Sequence, residues 1–199
     1  MRQRLPAGVT IYFVRHGETD WNATRRYQGQ ADIPLNDKGR EQAARNGRAL
    51  RALLPAVAGF DFVASPLGRT IETMRILRGA LGMAADGFAI DERLIELNYG
   101  HWQGQLLADL PNLDPAGVAG RAADPFNWRP RGGENYADLA GRLSHWLSTV
   151  DRDCVVVSHG GVSRALRWLL VGVDEAEIQA LPVPQDRVLV ISGGTADWL

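Results

Sequence analysis

Two apolar, β-branched runs each end in a histidine followed by glycine, and this repetition limits the folds open to the chain. Val9-Thr10-Ile11-Tyr12-Phe13-Val14 leads into Arg15-His16-Gly17, and Val155-Val156-Val157-Ser158 leads into His159-Gly160-Gly161. Valine, isoleucine and aromatic residues favour strands, and an unbroken run suits a parallel strand covered on both faces. Between these runs the period changes. Asn36 reads as the N-cap of a helix through about Leu54, with Ala43, Gly47, Leu50 and Leu54 on one face. Phe60 to Ala64 reads as a second strand. It ends at Ser65-Pro66, a helix-start signal, and Leu67, Ile71, Met74 and Leu81 give that helix its apolar stripe. A short strand is expected near Phe88-Ile90. Tyr136, Leu139, Leu143, Trp146, Leu147 and Val150 mark another helix, and Val162, Ala165, Leu166, Leu169 and Leu170 one more. Val188 to Ile191 is expected as the final strand. Strands alternating with helices predict an α/β fold of three layers, a mostly parallel sheet between two sheets of helices.

The chain's 199 residues suit one compact domain spanning 1–199. A formal charge of -1 and a pI near 6.4 give no basic field, which argues against nucleic acid as a partner. A lone cysteine, Cys154, excludes an intrachain disulfide and fits a reducing compartment. Met1 to Pro6 carries positive charge, but the apolar run behind it is only Val9 to Val14, too short for a leader. No stretch reaches the ~20 apolar residues of a membrane span, so no membrane association and a cytoplasmic location are expected. Residues 111–133 hold Pro111, Pro115, Pro125 and Pro130 and read as a long loop with at most a helical turn or two. Either it is a passive connector, or Phe126, Trp128, Arg129 and Arg131 make it a lid.

In an open parallel sheet, ligands bind outside the carboxyl ends of the strands. Three strand ends deliver His16, His159, Arg15 and Arg69 to that edge, with glycines that let backbone amides approach a ligand. Planar arginine forks and helix N-termini suit a phosphate. Two histidines also suit zinc, but Arg15 beside His16 disfavours a dication and no third ligand is evident. Cys154 falls at the opposite end of its strand. His145 on a polar helix face and His101 in a loop read as ordinary surface residues.

Beyond the strand ends, "VRHGETDWN", "YQGQADIPLNDKGREQA", "SPLGRTIETM", "ERLIELNYGHWQG", "GGENYADLAGR" and "VVVSHGGVSRAL" occur in that order. This set resembles the histidine phosphatase superfamily, the phosphoglycerate-mutase-like fold. The resemblance implies that His16 is the nucleophile and that Arg15, Asn22, Arg69 and His159 form a phosphate pocket. It makes Glu96 the general acid, with Gln28, Gly29 and Gly160 contacting substrate, and it implies neither a metal nor another cofactor. Elementary chemistry agrees, because a histidine nucleophile must be neutral and neighbouring arginines disfavour its charged form. Glu92 is the competing acid in sequence and reads as a solvated carboxylate. Glu134 matches a structural position near the start of the helix at Tyr136.

Mutases of this family commonly carry an arginine directly after the acid and a longer basic insertion. Here Leu97 follows Glu96, and Gln28-Gly29 replaces the usual Thr-Gly. The resemblance therefore implies the phosphatase branch: a phosphomonoester hydrolase working through phosphohistidine on a small phosphorylated metabolite. Mutase-type transfer and a non-catalytic phosphate-binding protein are the alternatives.

Overall fold

The computed structural model describes residues 2–199 other than Pro55 and Ala58. Its strands are β1 (Ile11–Arg15), β2 (Asp61–Ala64), β3 (Ala89–Ile90), β4 (Cys154–Ser158), β5 (Val188–Ser192) and β6 (Thr195–Trp198). They form one sheet in the order β3-β2-β4-β1-β5-β6. The first four strands in that order run parallel to their neighbours, while β5 joins β1, and β6 joins β5, antiparallel. β6 lies beyond the strand expected to be last. The turn before it, Gly193-Gly194, has φ of 56° and 83°. Two adjacent residues at positive φ make the tight hairpin turn that twisted antiparallel strands favour.

The helices are α1 (Asp20–Ala23), α2 (Asp37–Leu53), α3 (Gly68–Ala80), α4 (Leu110–Leu113), α5 (Pro115–Ala123), α6 (Tyr136–Leu147) and α7 (Gly160–Val171). Side chains alternate across a strand, so each strand feeds both layers. Ile11, Phe13, Val156 and Leu189 pack with Leu139, Leu143 and Trp146 of α6 and Val162, Leu166 and Leu169 of α7. Val14, Val155, Val157 and Val188 pack with Leu50 of α2 and Met74 and Leu77 of α3. Every residue of β4 is buried, as its unbroken valine run requires. Each such side chain contributes roughly 1.5–3 kcal/mol over leaving it exposed. The expected three-layer α/β architecture is the observed one.

Local readings fare unevenly. Asn36 caps α2, its side chain accepting from the Gly39 amide at 2.9 Å. Asn135 and Asp138 form a reciprocal capping pair that starts α6. Ser65-Pro66, however, does not open α3: Leu67 is still extended and the helix begins at Gly68. The Ser65 hydroxyl is instead engaged with a histidine of the site. The 111–133 segment is also more helical than expected. Pro111 lies in the first turn of α4, and Pro115 opens α5, where Asp114 caps the Gly117 amide. A proline at the first turn sacrifices no helical hydrogen bond, so here it marks helix starts.

Candidate active site

The sheet register sets the site. Arg15 lies opposite Ser158 across β1 and β4, and the His16 amide donates to the Ser158 carbonyl at 2.9 Å. The Ser65 amide donates to the Val157 carbonyl at 3.0 Å, so β2 ends at the same level. His16, His159 and Arg69 thus meet at one edge and are each at most 2% exposed. The two imidazoles stand edge to face, 5.2 Å between centroids.

Hydrogen bonds fix both tautomers. His16 Nδ1 is 2.8 Å from the Gly17 carbonyl oxygen. A carbonyl only accepts, so Nδ1 carries the proton and Nε2 keeps its lone pair. Burial, then Arg69 and Arg15, hold the His16 pKa well below the usual imidazole value. His159 shows the complementary arrangement. The Arg69 guanidinium, which only donates, lies 3.4 Å from Nδ1, and Nε2 faces the Ser65 hydroxyl at 2.7 Å. Nε2 therefore carries the proton and donates to Ser65. Burial, then Arg69, His16 and Arg15, keep this ring neutral too.

Two guanidiniums are anchored by backbone carbonyls. Arg15 donates to Val183 at 2.7 Å, and Arg69 donates to Ala31 at 2.6 Å and Gly29 at 2.7 Å. Burial lowers both pKa values to about 10, so both stay charged at neutral pH. Arg15 Nε and Arg69 Nε are buried donors with no acceptor among the described residues, and Gln28 Oε1 is a buried acceptor without a donor. Orphaned groups of this kind are rare in protein interiors.

Glu96 follows a single 3₁₀ turn, Glu92–Leu94, and its carboxylate accepts from the Leu97 amide at 2.8 Å and the Gly161 amide at 3.2 Å. Its carbonyl receives Gln30 and Arg142. A Cβ at position 161 would lie 2.4 Å from Glu96 Oε1, so glycine there admits the carboxylate. The amide of Gly17 does not face a ligand: it donates to Thr73 Oγ1 at 3.1 Å. Position 17 is glycine because a Cβ would stand 2.1 Å from the Gly39 carbonyl oxygen at the start of α2. Glu92 is exposed, and Glu134 accepts from the Asn98 amide at 3.0 Å and pairs with Arg142.

A cleft of about 500 Å³ opens over His16. Arg15, Asn22, Gln28, Gly29, Arg69, Glu96 and Gly160 line it, whereas His159 is fully buried behind the wall. Residues the sequence reading did not single out also line it, among them Tyr99, Arg121, Arg164, Gln179 and Val183. Arg164 had one signal, its position one turn into the helix that starts at the sheet edge. Gln185, which donates to the His16 carbonyl at 3.1 Å and to Asn22 Oδ1 at 3.0 Å, had none. Phe126 packs on Tyr136 and Trp168, Trp128 on Trp102, and Arg129 pairs with Asp138 at 2.7 Å; neither these nor exposed Arg131 line the cleft. A separate cleft of about 620 Å³ between the N-terminal segment and the β5–β6 turn is lined by neither histidine nor carboxylate. Burial pushes the Cys154 thiol up to about 12, which makes it inert. Among the described residues no group of three or more His, Cys, Asp or Glu could hold a metal ion, and no helix is long and apolar enough to cross a membrane.

Residues 11–198 match the model of the histidine phosphatase superfamily, branch 1. The chain belongs to that superfamily. Within it, the chain is 35% identical to the glucosyl-3-phosphoglycerate phosphatase of Mycolicibacterium vanbaalenii, covering 95% of this chain and 82% of that one. It is 34% identical to a probable phosphoglycerate mutase, GpmB, of Erwinia tasmaniensis over 91% of this chain and 80% of the other. Among solved histidine phosphatases, a mycobacterial glucosyl-3-phosphoglycerate phosphatase complexed with VO3 superposes with a TM-score of 0.78. That pair is 30% identical, and the match covers 96% of each chain.

Proposed function

We propose that this protein hydrolyses phosphomonoesters of small metabolites through a phosphohistidine at His16. One observation carries the reading: a neutral, buried imidazole with an unprotonated Nε2 lines one cleft with two charged guanidiniums, whose Nε donors have no acceptor among the described residues. Phosphoryl oxygens would supply those acceptors, as planar forks bind them well. His16 Nε2 attacks phosphorus, the ester P–O bond breaks, and Arg15, Arg69 and the Asn22 amide hold the equatorial oxygens. Glu96, in its protonated form, gives its proton to the leaving oxygen. It then takes a proton from water, which attacks the phosphohistidine and releases inorganic phosphate. His159 is a positioning residue that keeps an uncharged, hydrogen-bonded ring against His16 and Arg69. Positioning and charge stabilisation supply most of the barrier reduction in phosphoryl transfer.

Hydrolysis is favoured over mutase-type transfer by Leu97, which follows Glu96 and is buried in the apolar core. The phosphatase names of several relatives agree. Rapid quench with a labelled ester is expected to leave acid-labile, base-stable label on His16. The His16→Ala protein should take up none and lose turnover by on the order of 10³-fold or more. Label on another residue, or strict dependence on added metal, would overturn the reading. Transfer of label to an added hydroxy acid in preference to water would reassign the protein as a mutase.

A further inference from the structure

The segment that carries His16 runs from the end of β1 to Asn22 in α1, and its far end is lightly held. α1 has four residues, none of them buried, so apolar packing does little to place Asn22. Among the described residues, two side chains from elsewhere in the chain hydrogen-bond to this helix. Asn36 reaches Asp20 at 3.4 Å in an exposed pair, and Gln185 reaches Asn22 at 3.0 Å. Only the second meets a residue of the cleft.

Gln185 makes a bridge from one group. Its Nε2 donates to the His16 carbonyl at 3.1 Å as well as to Asn22 Oδ1. A carbonyl only accepts, so the atom facing His16 is the amide nitrogen, and both of its hydrogens are used. Gln185 is tied back in turn: the Asn46 side chain of α2, 1% exposed, donates to the Gln185 carbonyl at 3.0 Å. Gln185 itself does not line the cleft.

The bridge also settles which way Asn22 faces. The Thr19 amide and hydroxyl each lie 3.2 Å from Asn22 Oδ1. Three donors thus converge on that oxygen, and Nδ2 is turned away from them. Among the described residues Nδ2 makes no hydrogen bond, and Asn22 lines the cleft.

We propose that Gln185 is a positioning residue: by bridging His16 and Asn22, it holds Asn22 Nδ2 at the phosphoryl position. This rests on the phosphomonoesterase reading and adds to it a residue that touches neither the substrate nor a reacting atom. Misplacing a group by about 1 Å can cost on the order of 10²-fold in rate.

The test is a double-mutant cycle. Gln185→Met keeps the length of the side chain and removes both donations. It should lower kcat/KM by ~5–20-fold, equally for phenyl phosphate and 4-nitrophenyl phosphate, because the loss lies at the phosphoryl end. Asn22→Ala should cost ~10–100-fold, the worth of a hydrogen bond to a charged oxygen. The double variant should lie within ~2-fold of Asn22→Ala alone, since Gln185 acts through Asn22. Asp186→Asn, which loses only the exposed pair of the next residue with Arg45, should leave both esters unchanged. Activity of Gln185→Met within ~2-fold of the unmodified protein, losses that multiply in the double variant, or an equal loss in Asp186→Asn would overturn the proposal. If urea denaturation shows Gln185→Met unfolded, Gln185→Asn, an amide one methylene shorter, takes its place in the same cycle. If the unmodified protein hydrolyses no ester, the hydrolase reading fails separately. Orthovanadate titration, followed by NMR at the Asn22 side-chain amide (assigned by its loss in Asn22→Ala), then decides. A resonance that shifts in the unmodified protein and stays put in Gln185→Met supports the positioning role. One that stays put in the unmodified protein, or shifts equally in both, overturns it.

Discussion

His16, Arg69 and His159 hang from strand ends and from the first turns of helices, and the sheet and its two helical layers bury all three. The outer wall of the same cleft is assembled differently. Tyr27 follows a four-residue helix, Arg121 comes from a nine-residue helix, and Gln179 and Val183 come from the stretch between α7 and β5. Displacing the floor would move β1, β4 and the core with them, so its geometry is set by folding itself. The wall rests on half-exposed side chains and single hydrogen bonds, and it can change without disturbing the sheet. If the floor grips the phosphoryl group common to all substrates, as proposed, a wall free to vary above it accounts for relatives of one fold bearing different substrate names.

The largest effect should come from the floor. Glu96→Gln keeps the size of the side chain and removes the transferable proton, at the cost of one of the two backbone amide bonds that the carboxylate accepts. Hydrolysis of alkyl phosphates is expected to slow by ~10²–10⁴-fold, with a much smaller effect on 4-nitrophenyl phosphate, whose leaving group needs little protonation. A uniform loss across leaving groups, or a larger loss with Glu92→Gln, would move the acid elsewhere and erase the distinction between floor and wall.

A second measurement asks how firmly the floor is tied to the fold. His16 and His159 stay neutral in the folded protein well below the usual imidazole pKa. In the unfolded chain each takes up a proton near pH 6.5. Their folded values are the lower ones, so stability is complete above about pH 6.5 and is lost as pH falls below it. The slope is about 1.4 kcal/mol per pH unit for each histidine. The carboxylates with lowered values, Glu18, Asp91, Asp114 and Asp151, add their loss only near and below pH ~4.5. Urea denaturation at intervals between pH 7 and 5 should show the steeper slope, and His159→Gln should flatten it by about half. A flat profile in the unmodified protein would mean that the imidazoles are solvated.

The smallest effect belongs to Arg129. Its ion pair with Asp138 is half-exposed, so Arg129→Ala should cost under ~1 kcal/mol in stability and leave KM unchanged for every ester. A raised KM would return the wall to the 126–131 stretch and favour the lid over the passive connector, the two readings the sequence leaves open for 111–133.

The floor was legible in the sequence because strand ends in a parallel sheet form a predictable edge, and His16, Arg69 and Glu96 lie on recognisable stretches. Ser65-Pro66 misled because a hydroxyl that could cap a helix is taken by His159, and the helix waits until Gly68. Pro111 and Pro115 suggest a loop with at most a helical turn or two, yet each lies in the first turn of a helix. β6 carried a readable signal, the glycine pair at its turn. Arg121, Gln179 and Gln185 were invisible for a different reason: their partners Tyr27, Pro125 and His16 lie 94, 54 and 169 residues away.

The placement of β1 at the centre of the sheet also governs how the protein is made. Its first partner, β4, pairs Cys154 with Ile11, 154 − 11 = 143 residues later. At roughly 5–20 residues per second, a ribosome leaves β1 without its neighbour for about 7–30 s. Through that interval Ile11-Tyr12-Phe13-Val14 is an uncharged, β-prone segment with open edges, the composition that recruits other nascent chains. Arg15 follows it directly, and a charge at the end of such a segment guards against this pairing. The guanidinium proposed above to hold the phosphoryl group would thus serve first as a gatekeeper on the ribosome.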